Sequence, residues 1–114
     1  MDGVRASKEH PAVFESAELQ RAVKTAKAIS KDKIEIQIKR NLMEIRGRSV
    51  DAGAGRAIVK AKYAGKTIAF LVNPKFILDA LSGMKGEVTM RVAKEMIWMV
   101  CGNREAIIAQ MRPG

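Results

Sequence analysis

Arg21, Lys24 and Lys27 recur at every third position, and Lys31 follows four residues later. On a 100° wheel they share one arc, and no acidic residue is interspersed among them. A cationic ridge of this kind can neutralise phosphates along a nucleic-acid backbone, an attraction that salt weakens and that is nearly blind to base sequence. The residues alone leave two other uses open, a solvated face and a protein contact.

The remaining reactive groups do not assemble a catalytic centre. Gly53 and Gly55 are a fragment of a phosphate loop, but neither a G-x-G-x-x-G nor a Walker pattern completes them, and a plain loop accounts for both. Ser49, Asp51 and His10 include the side-chain types of a hydrolytic triad without the spacing of a nucleophile elbow. His10 is the single histidine and Cys101 the single cysteine, which removes the ordinary His/Cys zinc site and any internal disulfide. Cys101 reads as a small hydrophobe after an apolar strand. Trp98 and Met99 fall on opposite faces of that strand, one for the core and the other free for a partner. Neither an enzymatic centre nor a cofactor is expected.

The chain that must position these groups has 114 residues, the length of one domain, with 21 Lys+Arg against 12 Asp+Glu and a formal charge of +9. That balance favours a polyanion, an acidic protein or an anionic surface as partner. Apolar stretches fall far short of the roughly 20 residues of a membrane span, and residues 1–10 lack a secretory pattern, so a cytoplasmic protein is expected. Residues 1–10 read as a flexible lead-in and 11–114 as one domain.

Ala12 to Phe14 reads as an edge strand. Ser16 reads as the N-cap of a helix from Ala17 to about Ile29 that buries Leu19, Ala22, Val23, Ala26 and Ile29. Ile34, Ile36 and Ile38 alternate with polar residues, turn at Arg40-Asn41 and continue through Leu42 to Arg46 as a hairpin. Asp51 to Gly55 reads as a glycine-rich link into Ala57–Tyr63, which then pairs with Thr67–Val72 as a second hairpin. Asn73 as cap and Pro74 in the first turn open a second helix that buries Phe76, Ile77, Ala80, Leu81 and Met84. Three further strands follow, around Val88–Val92, Met96–Val100 and Ala106–Met111. The class is α+β, with antiparallel sheet and two amphipathic helices.

This order, with the segment Ile68–Leu81 (IAFLVNPKFILDAL) and the terminal Ala106–Arg112 (AIIAQMR), resembles the bacterial DNA polymerase III beta subunit, the replicative sliding clamp. The likeness is to that family's C-terminal domain and runs from about His10 to Arg112. It implies a DNA-clamp-like domain that does no chemistry. In the family, similar domains close a ring whose helices line a hole around duplex DNA while the sheets form the outer wall and the interfaces. The helix with Arg21, Lys24, Lys27 and Lys31 then looks like a DNA-facing element.

The family's C-terminal domain also helps to build an apolar pocket for short peptides of polymerases and other clamp users. Asn73 and Phe76 match the asparagine and aromatic residue that open its second helix. Met111 and Arg112 match its terminal Met-Arg, and Ile107 and Ile108 stand where adjacent valines precede it. Glu95 and Ile97 would reach the pocket rim. Ala109-Gln110 replaces the family's Met-Pro, and Pro113-Gly114 follows. The resemblance implies duplex DNA as partner, a homo-oligomer, and DNA polymerase or other clamp-binding peptides. The alternatives are a monomeric clamp-domain mimic or adaptor, and an isolated clamp fragment.

Overall fold

A computed structural model describes residues 10–49 and 53–112. They form β1 (Ala12–Glu15), α1 (Ser16–Ile29), β2 (Ile34–Lys39), β3 (Leu42–Ser49), β4 (Gly53–Lys60), β5 (Ile68–Val72), α2 (Pro74–Ser82), β6 (Glu87–Val92), β7 (Met96–Cys101) and β8 (Arg104–Ala109). The strands make two four-stranded antiparallel sheets, ordered β1-β6-β7-β8 and β4-β3-β2-β5. The fold is α+β, as the hydrophobic periods require. Residues 1–9 of the expected lead-in at 1–10, together with Asp51 and Pro113-Gly114, lie outside the described residues.

The chain is two β-α-β-β-β halves that exchange their first strands. β1 joins β6 of the second half, with Phe14 opposite Val88, and β5 joins β2 of the first, with Ile36 opposite Phe70. Two short bridges repeat the relation: Val13 pairs with Lys62 beyond β4, and Leu71 pairs with Met111 beyond β8. The expected hairpin between Ala57–Tyr63 and Thr67–Val72 does not form. β4 pairs with β3 and β5 with β2, at opposite edges of one sheet, because Ile68, Phe70 and Val72 complete the apolar face begun by β2.

The interior is built from the alternating strand residues Ile34, Ile36, Ile38, Met43, Ile45, Val88, Met90, Ile97 and Met99, with Leu19, Val23 and Ala26 of α1 and Ile77 and Leu81 of α2 packed on them. The inward apolar residues of each strand recur at every second position, which fixes its register. α1 lies against β3 and β4, and the approach is close: a Cβ on Gly47 would sit 2.5 Å from the Ala26 carbonyl oxygen. Gly55 is paired with Gly47 and faces the Ile29 side chain. The glycine-rich stretch read as a link is therefore in part strand, and the missing side chain at Gly55 leaves room for Ile29 of the helix.

Two helix-end expectations separate. Asn73 does cap α2, its Oδ1 accepting from the Lys75 N–H at 2.9 Å, with Pro74 as first helical residue. Ser16 does not cap α1. It is already helical, buried, and donates from Oγ to the Leu81 carbonyl at 3.2 Å, and Gln20 Nε2 donates to the same carbonyl at 3.1 Å. The Leu81 carbonyl, near the C-terminus of α2, also accepts from the Met84 N–H at 2.9 Å, and the two side-chain bonds to it tie the helices together.

On the outward face of β2, β3 and β4, the Glu44 carboxylate is only 2% exposed and accepts from three cations: Arg46 Nε at 2.8 Å, Lys39 Nζ at 3.2 Å and Arg56 Nη1 at 3.2 Å. The Arg46 hydrogen bond does most to hold the carboxyl down to about 2 against opposing desolvation, with Lys39 and Arg56 adding to it.

Two predictions follow from this packing. Gly47→Ala should lower unfolding stability by about 1–3 kcal/mol, since a helix backbone must move; urea titration with an unchanged midpoint would refute the close approach. The folded carboxyl of Glu44 is depressed from 4.5 to about 2, so its contribution is complete above about pH 4.5 and disappears as pH falls through about 2. Glu44→Gln should therefore be clearly less stable than the parent at pH 7 and approach it near pH 2, read as urea midpoints at the two pH values.

Candidate nucleic-acid and peptide interfaces

Burial of Leu19, Ala22, Val23 and Ala26 turns the opposite side of α1 to solvent. Arg21 and Lys24 are exposed there, Lys27 is half-buried in the last turn, and Lys31 is exposed just beyond the helix. Lys27 also complements the negative end of the helix dipole. Among the described residues none of these four cations is held in an ion pair, in contrast to Lys39, Arg46 and Arg56 around Glu44. From Arg21 to Lys27 the helix rises roughly 9 Å. α2 packs beside α1 and exposes Lys75, Asp79 and Ser82.

The six residues expected at a peptide site divide into two groups. The Leu71–Met111 bridge, with Met111 N–H donating to the Leu71 carbonyl at 2.7 Å, brings the terminal segment to the strand that leads directly into Asn73 and Phe76. Phe76 is 56% exposed, so it is not the core residue that helical periodicity suggested. Met111 is half-buried and Arg112 exposed. Ile107 lies four residues upstream, roughly 13 Å along an extended strand, and is 56% exposed on the outward face of β8. Ile108 is 6% exposed and belongs to the core, where it faces inward and supports the surface from beneath.

The strand β7 corrects the expected rim. Ile97 is fully buried, and the outward residues are Met96 and Trp98, opposite Ala109 and Ile107 respectively. Met99 is the core member of the Trp98–Met99 pair, and the Trp98 indole N–H donates to the Glu105 carboxylate. Met96, Trp98 and Ile107 are thus exposed apolar residues on the outward face of the β7–β8 pair. The alternation of β7 in sequence carries this signal, Met96 and Trp98 sharing one face and Ile97 and Met99 the other.

The corresponding place in the first half is chemically different. Val13, Glu15, Glu18 and Lys62 stand where Leu71, Asn73, Phe76 and Met111 stand in the second, and the first three and Lys62 line an open depression of about 520 Å³. Its wall carries Glu87 as well, so charge replaces the apolar surface. Among the described residues no cluster of His, Cys, Asp and Glu is placed to hold a metal ion, and no helix is long and apolar enough to cross a membrane. The Cys101 thiol is half-buried and donates to the Lys85 carbonyl at 3.3 Å.

Two strand-exchanged halves, with paired helices packed on sheets whose outward faces stay open, define a DNA-clamp domain. Residues 6–106 match the family described as DNA polymerase III beta subunit, C-terminal domain, and the chain belongs to that family. Its members are non-catalytic accessory factors of replication. No curated protein matches the sequence. Among solved structures, the Thermotoga maritima beta subunit is 21% identical with a TM-score of 0.85, over 93% of this chain and 31% of that one. The Pseudomonas aeruginosa clamp bound to griselimycin is 16% identical with a TM-score of 0.84, over 92% and 31%. Caulobacter crescentus pol III beta is 16% identical with a TM-score of 0.84, over 90% and 30%. The chain thus spans about 31% of the length of such clamps. The family match ends at residue 106, before Ile107–Arg112.

Because Asn73 both caps α2 and orients the turn that presents Phe76, Asn73→Ala should cost about 1 kcal/mol of stability. An unaltered thermal midpoint would show that the cap bond carries no weight.

Proposed function

We propose that this domain acts as one unit of a clamp wall in DNA replication, touching duplex DNA through α1 and holding partner peptides at the start of α2. The observation that carries the DNA reading is the face of Arg21, Lys24, Lys27 and Lys31, which is free of carboxylate partners among the described residues. Such a face positions a duplex by phosphate contact without reading sequence. A single domain spans about 31% of a clamp chain, so other units complete the wall, supplied by further clamp domains or by self-assembly. The reading is that of a processivity accessory in the cytoplasm, where bacterial DNA is replicated.

The peptide reading rests on exposed Phe76 at the start of the helix that follows the Leu71–Met111 bridge, with Met96, Trp98 and Ile107 as further exposed apolar residues on the outward face of β7 and β8. A large exposed aromatic next to a polar cap offers an anchor for an apolar side chain of an extended segment. A relative, the P. aeruginosa clamp, is known with griselimycin bound, which fits a ligand-taking surface on this fold. DNA polymerase or another clamp-binding peptide is the partner class.

Arg21→Glu with Lys24→Glu should weaken duplex binding at low salt by at least about tenfold and reduce the salt slope by about two, equally for unrelated sequences. Fluorescence anisotropy across two salt concentrations reads this, and unchanged binding would remove α1 as the contact. Phe76→Ala should independently weaken a clamp-binding peptide by roughly tenfold in calorimetric titration. Loss of neither affinity nor enthalpy would dismiss the anchor.

A further inference from the structure

Three cations meet at Glu44 on the outward face of β2, β3 and β4. Arg46 Nε at 2.8 Å and Arg56 Nη1 at 3.2 Å donate to the same carboxylate oxygen, Oε2, while Lys39 Nζ donates to Oε1 at 3.2 Å. One cation is enough to compensate one buried carboxylate. The others come from surface side chains, Arg56 67% and Lys39 40% exposed, and ion pairs of exposed cations add little stability. The larger effect is on the cations themselves: a carboxylate that is only 2% exposed fixes two guanidinium groups and an ammonium at one place on the surface.

Most of their hydrogen-bond capacity is left over. A guanidinium has five N–H donors and an ammonium three, and Glu44 takes one from each. Arg46 also approaches Glu35 Oε1, but at 3.9 Å, beyond hydrogen-bond length. Among the described residues no other carboxylate reaches these three side chains. Arg46 and Arg56 stand directly opposite across the β3–β4 ladder, which makes their two forks neighbours. Lys60 is exposed two rungs further along β4, on the same face. The four cations against Glu44 and Glu35 leave an excess of two positive charges.

We propose that Lys39, Arg46 and Arg56 form a binding site for the dianionic phosphate group of a phosphomonoester, with Glu44 beneath them as the positioning residue. Paired guanidinium forks suit the several acceptor oxygens of one phosphate, and cations already held in place lose less freedom on binding. The excess of two positive charges matches a dianion. Ile58, directly opposite Glu44 and 53% exposed, offers an apolar surface to the organic part of the ester. The Glu44 carboxyl, held down to about 2, stays ionised throughout the range in which a phosphomonoester is a dianion.

A polynucleotide fits this face less well. Its phosphodiesters carry one charge each and are attracted over a distance by a run of uncompensated cations, as on α1. Here Glu44 and Glu35 interrupt the field, and what remains is a short-range grip on a single phosphate. The site goes beyond the clamp reading and is independent of it, since α1 packs on the inner side of β3 and β4 and this cluster lies on the outer one.

The test is titration of the chain with a nucleoside monophosphate and with inorganic phosphate, followed by phosphorus NMR in chloride buffer at constant ionic strength. Both should bind the parent; tighter binding of the monophosphate assigns an ester as the source, and equal binding assigns free phosphate. Arg56→Gln should weaken either ligand by at least about tenfold, and Arg56→Lys, which keeps the charge but loses the fork, by at least about threefold. Circular dichroism checks that both variants are folded. Affinity of the parent for the monophosphate should rise as pH passes upward through about 6, where the ester gives up its second proton. The face carries Glu35, Lys39, Glu44, Arg46, Arg56 and Lys60 and no histidine, so the titrating proton is the ligand's. The Arg21→Glu, Lys24→Glu double variant should bind the monophosphate as the parent does, which separates this site from α1. A response no larger than that to added chloride, or parental affinity in Arg56→Gln, overturns the site. A dinucleoside phosphodiester that binds as tightly as the monophosphate overturns the preference for a dianion.

Discussion

The exchange of first strands is the constraint on which the architecture depends. β1 completes the sheet of β6, β7 and β8, and β5 completes that of β2, β3 and β4. Each half lacks one strand of its own sheet, so neither can close an apolar face without the other. The helices follow each borrowed strand directly, which carries α1 and α2 back over the interior and lays them side by side. Ser16 and Gln20 then bind the Leu81 carbonyl, and the two halves are joined by hydrogen bonds as well as by apolar packing. A solvent-facing cationic helix surface and an open outer sheet surface are consequences of this one exchange.

Positive charge is handled in two ways. On the outward face of β2–β4, Lys39, Arg46 and Arg56 converge on Glu44, and Arg46 also approaches Glu35 at 3.9 Å. Arg46 and Arg56 stand directly opposite across the β3–β4 ladder, an arrangement that needs a carboxylate between neighbouring positions. On α1 the cations have no such compensation among the described residues. The same residue types therefore stabilise a sheet in one place and leave an uncompensated field in another, and only the second is available to attract phosphates at a distance.

The two ends related by strand exchange have diverged in chemistry while keeping their backbone. Leu71, Asn73, Phe76 and Met111 leave an apolar surface with one polar cap, whereas Val13, Glu15, Glu18 and Lys62 leave a charged depression. Backbone pairing is indifferent to these side chains, because the bridge bonds use main-chain groups. Specificity at such positions is therefore free to change without cost to the fold.

Local chemistry was legible from the sequence wherever a period or a cap encodes it. The alternating isoleucines of β2, the buried stripe and cationic arc of α1, the Asn73-Pro74 start of α2 and the segment Ile68–Leu81 all stand in the chain as neighbours. Tertiary structure alone decided which strands meet: Ala57–Tyr63 and Thr67–Val72 look like a hairpin in sequence, yet β4 and β5 sit at opposite edges because β2 and β3 lie between them. It also reassigned Ser16 from cap to interhelical bond, turned Phe76 out and Ile108 in, and put Gly55, read as part of a link, in a strand against the Ile29 side chain of α1. The physical reason is range. Periodicity and capping act within about four residues, whereas sheet order, exposure at a helix end and the space under a helix depend on what the distant half of the chain places there.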